Sequence, residues 1–151
     1  MTKQRGGTIT ASEVETVERV RAICLGLPEA TERLSHGEPT WFVRNRTFVM
    51  YADHHHDDRV AIWCHAPAGF QQAMVGAEPD RFFVPPYVGH RGWIGVRLDV
   101  DVDWDEVSTI IEGAYRVVAP QRLVQAVDAR HDAQHDQPGA EREQPPAPPP
   151  C

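Results

Sequence analysis

The sequence predicts an α+β domain in two layers, with helices on one side of an antiparallel sheet. Short segments rich in β-branched and aromatic residues follow one another across tight turns, which favours hairpins. Helical patterns precede, interrupt and follow these segments without the strict strand–helix alternation of a parallel sheet. The chain has 151 residues, of which 41% are hydrophobic and 25% charged, so one domain with a single core is expected.

The first helix is predicted to begin at Ser12, where the letters SEVE form a capping box. The Ser12 side chain can accept from the amide of Glu15, and the Glu15 carboxylate can accept from the amide of Ser12. Gly26 and Pro28 are expected to end the helix. Its apolar residues recur at helical spacing and comprise Val14, Val17, Val20, Cys24 and Leu27.

Three strands are predicted in the centre of the chain. Residues Thr40–Arg44 and Thr47–Ala52 form a hairpin with Asn45 and Arg46 in its turn, and Arg59–Cys64 forms the third strand. Their aromatic and β-branched content is typical of strands that pack on a core.

A short helix over Ala68–Gly76 and two further strands are predicted next. Residues Arg81–Val84 form at most a short edge strand, because the double proline that follows has no amide hydrogen to donate. Residues Pro86–Gly92 form a loop, and Trp93–Leu98 forms the last strand.

The final helix is predicted to begin after Asp103, which is its N-cap, with Glu106 three residues later. A second helical segment is expected to follow Pro120 and to end at about Val127. The buried stripe of the final helix comprises Val107, Ile110, Ile111, Ala114 and Val118.

The two ends of the chain are set apart by their composition. Residues 1–11 are polar and are predicted to form a flexible N-terminus, and residues 12–127 form the domain. Residues 128–151 hold almost no large apolar side chain and are predicted to form a disordered, proline-rich tail. The PPAPPP run in this tail favours polyproline II, a conformation that proline-binding modules recognise.

The composition also narrows the classes of function. The net charge of −7 disfavours non-specific nucleic-acid binding, which depends on many phosphate contacts. The chain shows no secretory signal and no apolar run long enough to span a bilayer, so a cytoplasmic protein without a membrane partner is expected. No Cys-x-x-Cys pair is present, and Cys24 and Cys64 are expected to be buried free thiols.

The region Arg81–Leu98 is the candidate binding site, because it combines rings and basic residues and contains no Asp or Glu. Arginine binds phosphate and carboxylate through a fork of donors, and aromatic rings offer stacking faces. The competing interpretation is that the tryptophan lies in the core and the arginines pair with the acidic segment DVDVDWDE. The predicted ligand-binding residues are Arg81, Tyr87, His90, Arg91, Trp93 and Arg97.

The order of motifs resembles that of the MmcQ/YjbR family of small bacterial proteins. The resemblance covers Val14–Leu123 and includes LPEATERLSHGEPTWFVRNRTFVMYA, IWCHAP, RFFVPPYVGHRGWIGVRLD and WDEVSTIIEGAYRVVAPQRL. Its most specific part is the spacing of Tyr87, Gly89, Arg91 and Trp93. The resemblance implies a compact α+β fold with an antiparallel sheet, related in shape to secretion chaperones. It also implies DNA binding, a label that rests on a wing-like shape, and it supplies no catalytic residues.

The remaining motifs give weaker indications of a functional site. The segment DHHHDD, with His54–His56, offers metal-ligand side chains, but consecutive strand residues diverge, so no metal site is predicted. Cys64 and His65 are adjacent and should point apart, so they do not form a nucleophile and base. No P-loop and no Gly-x-Gly-x-x-Gly is present, so no cofactor is predicted, and an enzyme is not expected.

Three hypotheses therefore remain for the candidate site. The first is a non-catalytic domain that binds nucleic acid weakly and in a salt-dependent way. The second is a site for an anionic small molecule, with or without catalysis, between the Tyr87–Arg91 loop and His36, Glu38 and Trp41 at the start of the hairpin. The third is a protein-interaction adaptor that uses a sheet edge or the tail, and a homodimer is compatible with all three.

Overall fold

The computed structural model describes residues 11–53 and 59–136, with side chains over 14–53 and 59–133. These residues form the predicted α+β fold, with a six-stranded antiparallel sheet in the order β1-β2-β3-β4-β6-β5. The strands are β1 (Ala30–Ser35), β2 (Glu38–Val43), β3 (Arg46–Asp53), β4 (Val60–Cys64), β5 (Phe82–Phe83) and β6 (Ile94–Arg97). The helices are α1 (Ala11–Leu25), α2 (Phe70–Ala77), α3 (Trp104–Val118) and α4 (Gln121–Asp136), and Gly89–Arg91 forms a 3-10 turn.

The two faces of the sheet carry different side chains. Strand residues alternate between faces, so partners directly across neighbouring strands share one face. One face carries the aligned residues Trp41, Val49, Cys64 and Ile94. The other carries the aligned residues Thr40, Met50, Trp63, Gly95 and Phe83.

Helices α1 and α3 cover the face that carries Trp41. Helix α3 packs against β3 and β4, and α1 packs against β1 and α3. A register shift beside Trp41 leaves Phe48 as an extra residue in β3, and its ring contacts Tyr115 of α3 edge-on at 5.5 Å. The Tyr115 hydroxyl donates to the Pro28 carbonyl at 2.7 Å, which ties α3 to the end of α1. Glu32 accepts from Arg21 at 2.8 Å and from Trp41 at 3.0 Å.

The opposite face has a separate aromatic cluster. Trp63, Phe83 and Trp93 are each less than a tenth exposed and pack with Ala52 and Ala61. Gly95 lies directly under the Phe83 ring, where a Cβ atom would overlap the ring carbons. A glycine is therefore required at this position for β5 to lie at the sheet edge.

Several sequence-based boundaries need correction. The first strand, β1, was not predicted, because its letters ATERLS are mostly polar. Helix α1 begins at Ala11, so Ser12 lies inside the helix and not at its cap. The hairpin turn consists of Arg44 and Asn45, both with positive φ, and Arg46 is already in β3. The Asp103 cap is confirmed, since its carboxylate accepts from the amides of Asp105 and Glu106.

Helix α4 belongs to a second compact unit, which begins at Pro120, whereas the first unit ends at Ala119. The helix runs to Asp136, so the predicted end of helical structure at Val127 is wrong and the predicted tail boundary at Asp128 falls inside the helix. The PPAPPP run, the segment His54–His56 and the predicted flexible residues 1–10 lie outside the described residues.

The described helices include none that is long and apolar enough to cross a membrane. Cys24 and Cys64 are buried free thiols, as predicted. Burial raises the pKa of both thiols, which disfavours the reactive thiolate.

The carboxyl group of Glu38 makes the fold sensitive to pH. Burial raises the pKa of Glu38 to about 7; the Asp53 amide, 3.4 Å from Glu38 Oε2, opposes this, and the Asp53 carboxylate adds to it. The folded state therefore holds this proton more tightly than the unfolded state, whose pKa is near 4.5. Stability should fall as pH rises through the window from about 4.5 to 7.

We expect Glu38→Gln to remove this part of the pH dependence. Because Glu38 is half-buried and screened by solvent, the effect should be on the order of 1 kcal/mol between pH 5 and pH 8. Urea denaturation at both pH values measures it. Equal pH slopes for wild type and variant would contradict the assignment to Glu38.

Candidate functional site

A cavity of about 590 Å³ opens on the sheet face opposite α1 and α3. A volume in this range accommodates a small organic molecule. Its walls come from the β1–β2 turn, from strands β2 to β4 and from the loop that leads into β6. The lining residues are Ser35, His36, Thr40, Arg46, Thr47, Met50, Trp63, His65, Tyr87, Val88, Arg91 and Trp93.

Two tight turns shape the hairpin side of the cavity. The β1–β2 turn consists of His36 and Gly37, with φ of 53° and 83°, a left-handed geometry that fits the twist of the flanking strands. It brings His36 to the cavity wall. The β2–β3 turn of Arg44 and Asn45 has the same geometry and places Arg46 at the start of β3, on the same wall.

The loop side is held in a strained conformation. Tyr87 follows the double proline with φ of 68°, a left-handed value that bulky residues rarely adopt, and its side chain is 70% exposed. Backbone in this region costs about 1–3 kcal/mol, and it persists only where the surrounding structure imposes it. Such residues are concentrated at functional sites. The loop then turns through Gly89–Arg91 and reverses at Gly92, where φ is 88°.

Gln71 of α2 fixes this loop from below. Its side-chain amide is buried and donates to the carbonyls of Gly89, at 2.8 Å, and of Trp93, at 2.6 Å. These two bonds hold both ends of the segment that carries Arg91. Helix α2 does not line the cavity, but through Gln71 it positions the Arg91 side chain in the cavity wall.

An aromatic pair forms the floor between the two sides. The His65 ring lies 4.3 Å from the Trp93 ring, between centroids, at an interplanar angle of 41°. Burial lowers the pKa of His65, and the positive charges of Arg91 and Arg46 lower it further, so its imidazole is neutral at pH 7. Trp93 Nε1 is buried and has no acceptor among the described residues, a rare condition that needs a structural or functional explanation.

The described residues that line the cavity include two arginines and no carboxylate. Arg46 and Arg91 form no salt bridge with any carboxylate of the described residues. Arg46 Nη1 donates to the Val118 carbonyl at 3.5 Å. Arg46 and Arg91 both line the cavity around its aromatic floor, and guanidinium groups there can bind an anion.

The structure places three of the six predicted binding residues in the cavity wall. Tyr87, Arg91 and Trp93 line the cavity, whereas His90 is exposed on the 3-10 turn and does not line it. Arg81 forms ion pairs with Glu78 and Glu106, and Arg97 forms a two-pronged pair with Asp99 at 3.0 and 3.2 Å.

The competing interpretation, in which the arginines pair with the acidic segment after β6, describes Arg81 and Arg97. Both lie outside the cavity wall, and the acidic residues that follow β6 account for one partner of each. Trp93 is only 5% exposed, so it contributes to the cluster under the cavity as well as to its wall.

Sequence reasoning missed Arg46 and His65. Arg46 was assigned to a turn, and its role depends on the register that brings β3 beside the loop. His65 was considered only as a base for Cys64, and the two do point to opposite faces: Cys64 faces the helices and His65 faces the cavity. Of the three hairpin residues considered for a joint site, His36 reaches the cavity, while Glu38 and Trp41 do not.

No group of three or more metal-ligand side chains is found in residues 11–53 and 59–136. The cavity wall likewise offers two histidines without an acidic partner. This donor set suits an anion better than a cation.

Comparisons with known proteins agree with this fold. The crystal structure of the Deinococcus radiodurans protein DR2400, of the family-model domain DUF419, superposes with a TM-score of 0.58 at 17% identity, over 67% of this chain and 76% of that one. No curated protein matches the chain. The YjbR family model matches residues 25–117, more than half of the chain and all six strands. The chain therefore belongs to the YjbR family.

Proposed function

We propose that this protein binds a small anion with a planar, apolar body in the cavity between the hairpin and the Tyr87–Arg91 loop. The observation that carries the proposal is the placement of Arg46 and Arg91 around an aromatic floor whose described lining residues include no carboxylate. The anionic group, a carboxylate, sulfonate or phosphate, would lie between the two guanidinium groups. The body of the ligand would pack against Trp93, Met50 and the ring of Tyr87.

The net charge of −7 supports a local site over an extended one. A protein that is acidic overall attracts a small anion only where cations are concentrated and carboxylates are kept away. The cavity meets both conditions, because its described lining residues include Arg46 and Arg91 and no carboxylate. We infer no reaction, since the wall offers binding groups without a paired nucleophile and base.

Binding of 2-naphthalenesulfonate tests the proposal. Calorimetric titration should detect this probe, while 2-naphthol, which has the ring without the charge, and sulfate, which has the charge without the ring, should bind at least about tenfold more weakly. We expect Arg46→Gln and Arg91→Gln each to weaken binding of the probe about fivefold, because both groups are exposed and their contribution is screened.

Arg97→Gln is the matched control, because Arg97 is also an arginine of this region but lies outside the cavity. Its affinity for 2-naphthalenesulfonate should equal that of the wild type. The proposal is wrong if the three arginine variants weaken binding equally, or if the uncharged ring binds as tightly as the anion.

Nucleic acid is the second candidate ligand, supported by the exposed Tyr87 ring beside Arg91. Stacking on an aromatic ring and contact with phosphate are how single strands bind. The pairing of Arg81 and Arg97 with acidic residues weighs against a long phosphate track. Retention of a thymidine oligomer at low salt that is lost in Arg97→Gln would favour nucleic acid over the small anion.

A further inference from the structure

We propose that His65 is a third anion-binding group of this cavity, which takes up a proton when the anion binds. The inference rests on the proposed function, because it concerns the same site. It makes ligand binding and proton binding a single coupled event.

The position of His65 carries the argument. It lines the cavity together with Arg46 and Arg91, and its ring packs at a tilt against the Trp93 ring, which limits its movement. Its backbone amide donates to the Phe48 carbonyl at 3.2 Å, which fixes the main chain at the end of β4. An anion between the two guanidinium groups would therefore also approach the imidazole.

The charges around His65 come from several elements. Arg46 of β3 and Arg91 of the 3-10 turn are both positive, and both lower its pKa after the larger effect of burial. His36 of the β1–β2 turn and Tyr87 of the loop also line the cavity, and none of its described lining residues is a carboxylate. In the free protein, burial and the charges of Arg91 and Arg46 therefore keep the pKa of His65 below its ordinary value.

A bound anion would change the electrostatic environment of His65. Its negative charge offsets Arg46 and Arg91 and raises the pKa of His65 toward or above its ordinary value of 6.5. The imidazolium that forms donates a charge-assisted hydrogen bond to the anion. Because linkage is reciprocal, a proton that binds more tightly in the complex makes the anion bind more tightly at low pH.

Titration calorimetry with 2-naphthalenesulfonate tests the coupling, since this probe does not titrate between pH 5 and 8. Measurements at pH 6 in two buffers of different ionisation enthalpy report the protons taken up. We expect about half a proton per ligand and an affinity about threefold higher at pH 5.5 than at pH 8. His65→Gln should abolish the uptake and flatten the pH profile, and it should still bind the probe at pH 8 through the two arginines.

His90→Gln is the control, because His90 is an exposed histidine of the 3-10 turn that does not line the cavity and should leave the uptake unchanged. Binding of the probe without proton uptake would overturn this inference alone, as would uptake that persists in His65→Gln or disappears in His90→Gln. Failure of the probe to bind at any pH would overturn both the inference and the proposed function.

Discussion

Replacing Gln71 with methionine is expected to lower the free energy of unfolding by about 2 kcal/mol and to weaken ligand binding at the same time. Methionine has a similar length and volume, so the change removes the amide without opening a cavity. The Trp93 carbonyl would lose its donor, whereas the Gly89 carbonyl would keep only the Gly92 amide, at 3.0 Å. Each buried carbonyl without a partner costs about 1–3 kcal/mol.

The binding defect should follow from the same loss, because these bonds position the segment that carries Arg91. We expect affinity for 2-naphthalenesulfonate to fall about tenfold, which is more than the loss of Arg91 alone would cause. Urea denaturation and calorimetry measure the two effects.

Gln72→Met is the matched control, since Gln72 is the next residue of α2 and is exposed. Its stability should change by less than about 0.5 kcal/mol. A Gln71→Met protein with the stability and affinity of the wild type would show that the loop does not depend on this amide.

Replacing Gly95 with alanine should destabilise the protein by about 2–3 kcal/mol through overpacking. The new methyl group would lie 2.6 Å from Phe83 Cε1, well inside van der Waals contact. The ring has little room to move, because it is buried in the aromatic cluster and the Arg59 guanidinium lies 4.1 Å from its centroid. Thermal and urea unfolding of the variant measure the cost.

Gly113→Ala provides a control with the same chemical change and the opposite expected sign. Gly113 lies inside α3, and a Cβ atom there would meet nothing within 4 Å. Alanine should stabilise the helix by about 0.5–1 kcal/mol, because it loses less backbone entropy on folding. Adding Phe83→Leu to Gly95→Ala should recover part of the loss, and strictly additive effects of the two substitutions would contradict a clash between them.

Most of the fold could be predicted from local patterns. The central hairpin, β4, the edge strand before the double proline and the cap at Asp103 all follow from residues close together in the chain. Strand β1 could not, because ATERLS has the composition of a polar loop. It becomes a strand through its pairing with β2, from Ala30↔Val43 to Ser35↔Glu38, which is a tertiary effect.

The candidate site was predictable only in part. The loop with Tyr87, Arg91 and Trp93 is recognisable because rings and basic residues are concentrated there. Whether each arginine is paired with a carboxylate cannot be predicted from the sequence, because pairing depends on tertiary contacts. Arg81, for example, pairs with Glu106 of α3. Arg46 and His65 join the loop only once the sheet is assembled, and nothing in their immediate neighbours marks them.

The arrangement of helices on one face and a cavity on the other has a consequence for how such a protein can evolve. The side chains that hold the chain together under α1 and α3 are largely different from those at the cavity rim, such as His36, Arg46 and Thr47. Exchanges at the rim can therefore alter which molecule is preferred while the scaffold continues to fold. A lineage built on this plan can diversify its partners without redesigning its interior.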